Sequence, residues 1–288
     1  MSRAQVLCLT TLTMFAFAGN SLLCRLALKH TAIDPASFTA IRLIAGALAL
    51  WLLVRIRTRS APMLGNWPSA ATLFVYAVTF SFSYVSLPAA AGALLLFGAV
   101  QVTMIGYGLA AGERPGRTQA VGLCAACAGL AALLLPGLSA PPLKGALLML
   151  AAGVAWGIYS LRGRGGGDAT AVTAGNFLRA APMAACLGLV LLPWASVDLA
   201  GFGYALASGV FASGVGYAVW YTALRGLTAT TAASVQLSVP VIAAAGGVLL
   251  LDEPLTWRLV LCSIAILGGI ALIILAKPRP FTRSPLPR

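Results

Sequence analysis

Asn20 stands between Gly19 and Ser21 inside an apolar run. A buried amide must satisfy its hydrogen bonds, so Asn20 is either an interhelix tie or a contact for a bound solute. Tyr76, Phe80, Ser83 and Tyr84 fall at i, i+4, i+7 and i+8, which places them on one helical face. Phe97 and Gln101 are four residues apart, and Trp156 and Tyr159 are three apart. Tyr217, Trp220 and Tyr221 share a stripe, and Gln236 precedes Pro240 by four. Aromatic walls carrying a few hydroxyls and amides suit a small amphiphilic solute, because the rings bury its body and the polar groups orient it. The alternative for Tyr and Trp is the belt at a membrane interface. It fits Trp51, Trp67, Trp194 and Trp257, close to the ends of apolar runs, better than Trp156 or Tyr217, which stand mid-run. The expected binding set is therefore Asn20, Tyr76, Phe80, Tyr84, Phe97, Gln101, Trp156, Tyr159, Tyr217, Trp220 and Gln236.

Arg42 and Arg179 each lie near the start of an apolar run. Each is either a counter-charge for a substrate carboxylate or a brace that reaches helix-end carbonyls. Their matched positions favour the brace, since one substrate need not be held twice. The glycine-rich stretch from Gly209 to Gly216 would permit close helix approach or a hinge.

Other chemistry finds no support. The one histidine, His30, falls in a polar segment, and the six acids all fall in loops or at helix ends. Metal sites need clustered His, Cys or carboxylates, and hydrolysis by paired carboxylates needs a pair; neither pattern occurs, so no metal or other cofactor is expected. Cys124-x-x-Cys127 is embedded in Ala, Gly and Leu and is read as small residues for packing. No phosphate-cradling loop follows a strand. With no acid or histidine mid-span, obligate proton coupling through such a residue is not expected.

The elements that must position these residues follow from composition. Of 288 residues, 60% are hydrophobic and 9% charged, against about 25% charged in ordinary soluble domains. Mean hydropathy is +0.95. Such a chain can neither clothe a soluble surface nor stay disordered. At about 20 residues per spanning helix, it has room for roughly ten. Pro, Gly and charged residues delimit spans at 5–26, 38–54, 69–87, 92–111, 118–136, 144–161, 171–193, 202–224, 229–251 and 257–276. The first of these mimics a signal peptide but is read as an uncleaved span, because apolar segments continue throughout.

Lys and Arg counting sets the orientation. With the N-terminus in the cytoplasm, 13 of the 19 basic residues fall on the cytoplasmic side, four on the other, and Arg42 and Arg179 within spans. The net charge of +13 therefore marks topology and not a nucleic-acid partner.

An internal repeat is visible. Arg42 and Arg179 open the second and seventh spans 137 residues apart; Glu113 and Glu253 close the fourth and ninth 140 apart. Two five-span halves explain both offsets, and because five is odd the second half enters from the opposite face. Ten spans in two halves, an Arg at the start of spans two and seven, and Gly112-Glu113 and Asp252-Glu253-Pro254 closing spans four and nine resemble the drug/metabolite transporter superfamily, EamA type. Pro240 fits its span-nine proline, while the span-four counterpart is Val100.

The fold expected is an all-α integral membrane protein of ten transmembrane helices in two inverted five-helix repeats. Residues 1–137 form the first repeat, and 138–288 the second with a basic cytoplasmic tail. Arg42, Arg179, Glu113, Glu253 and Pro240 are expected to be structural or gating residues. The resemblance implies a non-enzymatic exporter of small neutral metabolites, amino acids including aromatic ones foremost, in the bacterial inner membrane with both termini cytoplasmic. Its partners would be the solute and the lipid bilayer, with no nucleic acid; a monomer is compatible with this. The alternatives are a carrier of another metabolite class, a channel, for which no filter sequence is found, and a membrane enzyme acting on lipids or sugar phosphates. The enzyme would need an acidic or histidine cluster, and Glu113 alone is thin support for one.

Overall fold

The computed structural model describes residues 2–57, 63–110, 116–135, 137, 140–163, 168–224, 226–227 and 235–275. Every regular element among them is helical. In chain order these are α1 (Arg3–His30), α2 (Pro35–Arg57), α3 (Trp67–Tyr84), α4 (Ala89–Ala110), α5 (Arg117–Leu134), α6 (Leu143–Arg162) and α7 (Ala169–Val190). A 3₁₀ turn at Leu192–Trp194 then leads to α8, a single rod made of Leu199–Ala207, a π-helical stretch Ser208–Val215 and Gly216–Leu224. Last come α9 (Ser238–Leu251) and α10 (Trp257–Leu275). Capping residues start several of them. Ser2 and Gln5 form a capping box on α1; Asn66 caps α3 ahead of Pro68; Asp168 caps α7.

Among the described residues, six helices are long and apolar enough to cross a membrane: Arg3–His30, Pro35–Arg57, Ala89–Gly108, Arg117–Leu134, Leu143–Arg162 and Leu199–Ala223. Ser238–Leu251 and Trp257–Ile273 are shorter apolar helices. α3 and α7, of 18 and 22 residues, carry buried Ser, Tyr, Thr and Asn side chains, among them Ser69, Tyr76, Ser83, Tyr84, Thr173 and Asn176.

Hydrogen bonds show which helix ends meet. At one end, Arg25 of α1 donates to the carbonyls of Tyr84 and Val85 after α3, and Glu253 after α9 accepts from the N–H of Ala89 that opens α4. At the same end Arg258 of α10 donates to Ala132 in the last turn of α5 at 3.2 Å. At the other end, Arg162 closing α6 donates to Ser69 of α3, and Gln119 of α5 to the Ile273 carbonyl of α10. Consecutive helices therefore run in opposite directions. α2 packs on α7 and α5 on α10; α6 lies against α3 and α4, and α1 against α8 and α9.

Two expectations shift. α1 runs to His30, four residues past the expected limit, so Lys29 and His30 belong to a helix and not to a loop. Cations in a last helical turn face the negative end of its dipole, which lets the helix outlast its apolar stretch. Cys124 and Cys127 are exposed on α5, whereas Gly122 and Gly129 make the close contacts to α10.

Asp34 pins the links at the Arg25 end. Its Oδ1 accepts from the N–H groups of Ala36 and Ser37 and its Oδ2 from that of Ser196, between α7 and α8. Burial alone would raise its pKa, but the hydrogen bonds from Ser37, Ser196 and Ala36 outweigh it and hold the carboxyl below the usual aspartate value. A depressed native pKa gives stability that is present above the unfolded value and lost as pH falls through the native one. Asp34→Ala should therefore lower the melting temperature in detergent at pH 7, at a cost of about 1 kcal/mol for the lost cap. The gap to the native protein should narrow as the pH approaches 3. A gap that stays constant on acidification would overturn this role for the charge.

Candidate functional site

Where α1, α3, α6, α7 and α8 converge, aromatic rings meet in a continuous cluster. Trp156 of α6 is its hub, with ring centroids 4.9 Å from Tyr76, 4.8 Å from Tyr217, 5.5 Å from Tyr159 and 6.2 Å from Phe17. Tyr76, Phe80 and Tyr84 continue it along the α3 face, at 5.3 and 4.9 Å. Phe17 also touches Tyr217 and Trp220, and Phe177 touches Tyr217. All nine rings are buried, whereas Trp51, Trp67, Trp194 and Trp257 are exposed as an interfacial belt requires.

Polar groups thread this cluster. Asn20 Nδ2 donates to the Tyr76 hydroxyl at 3.3 Å, and its Oδ1 accepts from the Ser208 hydroxyl at 2.6 Å. One amide thus ties α1 to α3 and to the first residue of the π-helical stretch. That stretch packs on α2 through glycines. A Cβ at Gly46 would meet the Phe177 ring at 2.7 Å, and one at Gly209 would strike the Arg42 carbonyl. π-helical segments often mark functional sites, and here the wider turn brings the backbone of α8 against that of α2.

The two arginines part company. Arg42 is 1% exposed, with its guanidinium carbon 5.3 Å from the Tyr76 ring centre and 4.9 Å from that of Phe80. Its Nε and Nη1 have no hydrogen-bond partner. Arg179 is only half-buried and donates from Nη1 to the carbonyls of Leu64 and Gly175, at 3.0 and 2.8 Å. Arg179 has the geometry of a brace; Arg42 lies in the aromatic cluster.

A polar cavity of about 190 Å³ opens at the Arg162 end, lined by Asn66, Ser69, Tyr159, Arg162, Thr173, Asn176 and Tyr221, among others. Arg162 donates from Nε to the Ser69 hydroxyl and from Nη2 to Asn66 Oδ1, at 3.1 and 3.3 Å. Asn176 Nδ2 donates to the Tyr159 hydroxyl at 3.4 Å, and its Oδ1 accepts from the Asn66 N–H. Gly65 takes a φ of +94°, open to glycine at little cost, which lays this loop against Asn176. Tyr159 belongs to both features, lining the cavity and touching Trp156.

At the Arg25 end an ion pair joins the helix ends, beside a second cavity of about 210 Å³ lined in part by Ser86, Pro88, Leu133 and Glu253. Arg25 Nε and Glu253 Oε1 are 2.9 Å apart, with both side chains largely buried. Glu253 Oε2 accepts from the Ala89 N–H at 2.7 Å.

Of the expected binding residues, Tyr76, Phe80, Tyr84, Trp156, Tyr159, Tyr217 and Trp220 meet in one ring system, with Asn20 bonded to it. Phe97 and Gln101 are buried on α4 but stand apart from the ring contacts. Gln236 is half-buried just before α9, and Pro240 is buried within it. Glu113 lies outside the described residues. Not anticipated from sequence were Phe17, Phe177, Ser208, Arg162, Asn176 and the Arg25 partner of Glu253. A lone Phe in an apolar run carries no signal. Asn176, placed like Asn20 as an amide within a span, offered one.

Residues 143–275 match the EamA-like transporter family. An uncharacterized protein of Pseudomonas aeruginosa, PA1977, is 61% identical over 275 residues, covering 95% of this chain and 96% of its own. A crystal structure of a protein 18% identical in sequence shares the fold at a TM-score of 0.65, over 94% of this chain and 98% of the other.

Proposed function

The chain belongs to the EamA-like transporter family, and from that premise we propose that it exports small metabolites, amino acids including aromatic ones foremost, across the bacterial inner membrane. The observation that carries the amino-acid reading is the buried ring cluster with Asn20 at its edge. Its apolar faces match a hydrophobic side chain, and its few hydroxyls and amides match the polar end of an amino acid.

The mechanism is alternating access between two inverted five-helix halves, residues 1–137 and 138–288. The packing supports it: exchanging each helix for the one five places along turns the contact of α6 with α3 and α4 into that of α1 with α8 and α9, and leaves the pairs α2–α7 and α5–α10 unchanged. The excess of basic residues at the Arg162 end supports a cytoplasmic location for that end and for both termini. The polar cavity at that end is the route in, and the Arg25–Glu253 pair closes the route out.

Purified protein in liposomes preloaded with phenylalanine should accumulate radiolabelled phenylalanine from outside by counterflow, with smaller amino acids competing. A carrier exchanges preloaded substrate, whereas a channel only equilibrates it and an enzyme converts it. Failure of counterflow with every amino acid would end the amino-acid assignment.

A further inference from the structure

We infer that Arg42 is the residue that reads the substrate, and that what it reads is a single carboxylate. The inference rests on the carrier reading above and names the ligand chemistry of the same site. Arg42 is buried beside Tyr76 and Phe80, so its charge is held at the ring cluster and not at a membrane surface. Cation–π contact with two rings offsets part of the loss of water but satisfies no N–H. Nε and Nη1 remain without acceptors. Unmet donors on a buried cation are rare in folded proteins, because burial without a partner is costly.

No carboxylate among the described residues pairs with Arg42. Glu253 is engaged by Arg25 and by the Ala89 N–H. Asn20 is committed to Tyr76 and Ser208. The cluster thus offers one fixed positive charge and no negative one. A carboxylate on the substrate pairs with this charge and takes up the free donors in charge-assisted hydrogen bonds. A phosphate dianion would leave an excess negative charge in the bilayer. A free ammonium finds rings but no counter-ion. The carboxylate is therefore required and the amino group dispensable.

Competition on the liposome-reconstituted protein separates these groups. Labelled phenylalanine is challenged with 3-phenylpropanoate, which lacks the amine, and with phenethylamine, which lacks the carboxylate. Phenylpropanoate should compete comparably to phenylalanine, and phenethylamine on the order of tenfold more weakly or worse, since a hydrogen-bonding site rejects analogues lacking the bonded group. Arg42→Gln should erase this ranking, and Arg42→Lys should restore part of it. Phenethylamine competing as well as phenylpropanoate, or a ranking unchanged in a folded Arg42→Gln, would overturn the inference.

Should Arg42→Gln fail to fold, the ranking on the native protein decides alone. Should phenylalanine not exchange while labelled phenylpropanoate does, the amino-acid assignment falls and the role of Arg42 stands. Should neither exchange, thermal shift of the native protein decides: stabilisation by phenylpropanoate and not by phenethylamine supports Arg42, and any other result removes it.

Discussion

Glu253→Gln should be among the most destabilising single changes in this protein, and reversing the charges of the pair should not repair it. Glu253 uses both oxygens, one toward Arg25 Nε at 2.9 Å and one toward the Ala89 N–H at 2.7 Å. Glutamine offers one oxygen, so its NH₂ group must face one of two donors while Arg25 loses its counter-charge. Breaking a buried ion pair by removing one partner costs about 3–5 kcal/mol. The pair also uses the helix ends around it. The carboxylate sits at the N-terminus of α4, where a negative charge is favoured, and Arg25 Nη1 donates to the Tyr84 and Val85 carbonyls at the C-terminus of α3, where a positive one is. Arg25→Glu combined with Glu253→Arg would restore the attraction between the two groups and set both against their helix ends. We expect the melting temperature in detergent to fall strongly in Glu253→Gln and to stay low in the double reversal. Full recovery in the reversal would mean that the pair acts through mutual attraction alone.

Charge and hydropathy made the frame of this molecule legible, because in a bilayer both are dictated by solvent. The alternation of Lys and Arg between successive loops anticipated helices that run up and down, and helix-end contacts such as Arg162–Ser69 and Arg258–Ala132 gather the ends in that way. The face Tyr76, Phe80, Tyr84 was legible because helical periodicity is local. What stayed hidden is long-range. Arg25 and Glu253 are 228 residues apart, and nothing local distinguishes a paired Arg25 from a loop cation. Arg42 and Arg179 share a sequence context yet take different environments, because their neighbours differ: a loop carbonyl at Leu64 waits for Arg179, and rings for Arg42. The glycines from 209 to 216 announced close approach, and the π-helical turn they fall in shows how α8 achieves it against Gly46.

Trp156→Ala should abolish most transport while leaving a foldable protein, and Trp156→Phe should keep much of it. Trp156 of α6 joins Phe17 of α1, Tyr76 of α3 and Tyr217 of α8. Under the proposed mechanism its ring is the surface across which the halves meet and on which an apolar side chain would stack. Each favourable ring pair contributes about 0.5–1.5 kcal/mol beyond its buried area. Losing several at once should cost roughly one to two orders of magnitude in flux if the substrate uses the same faces. Truncating a buried Trp also costs about 3–5 kcal/mol in stability, so flux must be compared at matched amounts of monodisperse protein. Tyr84 supplies the control. Its ring is equally buried but touches only Phe80 in the cluster, and Gly92 of α4 packs against its edge. Tyr84→Ala should therefore lower stability by a similar amount with a smaller loss of flux per molecule. Equal losses of flux in the two variants would reduce Trp156 to a packing residue and move the substrate site elsewhere in the bundle.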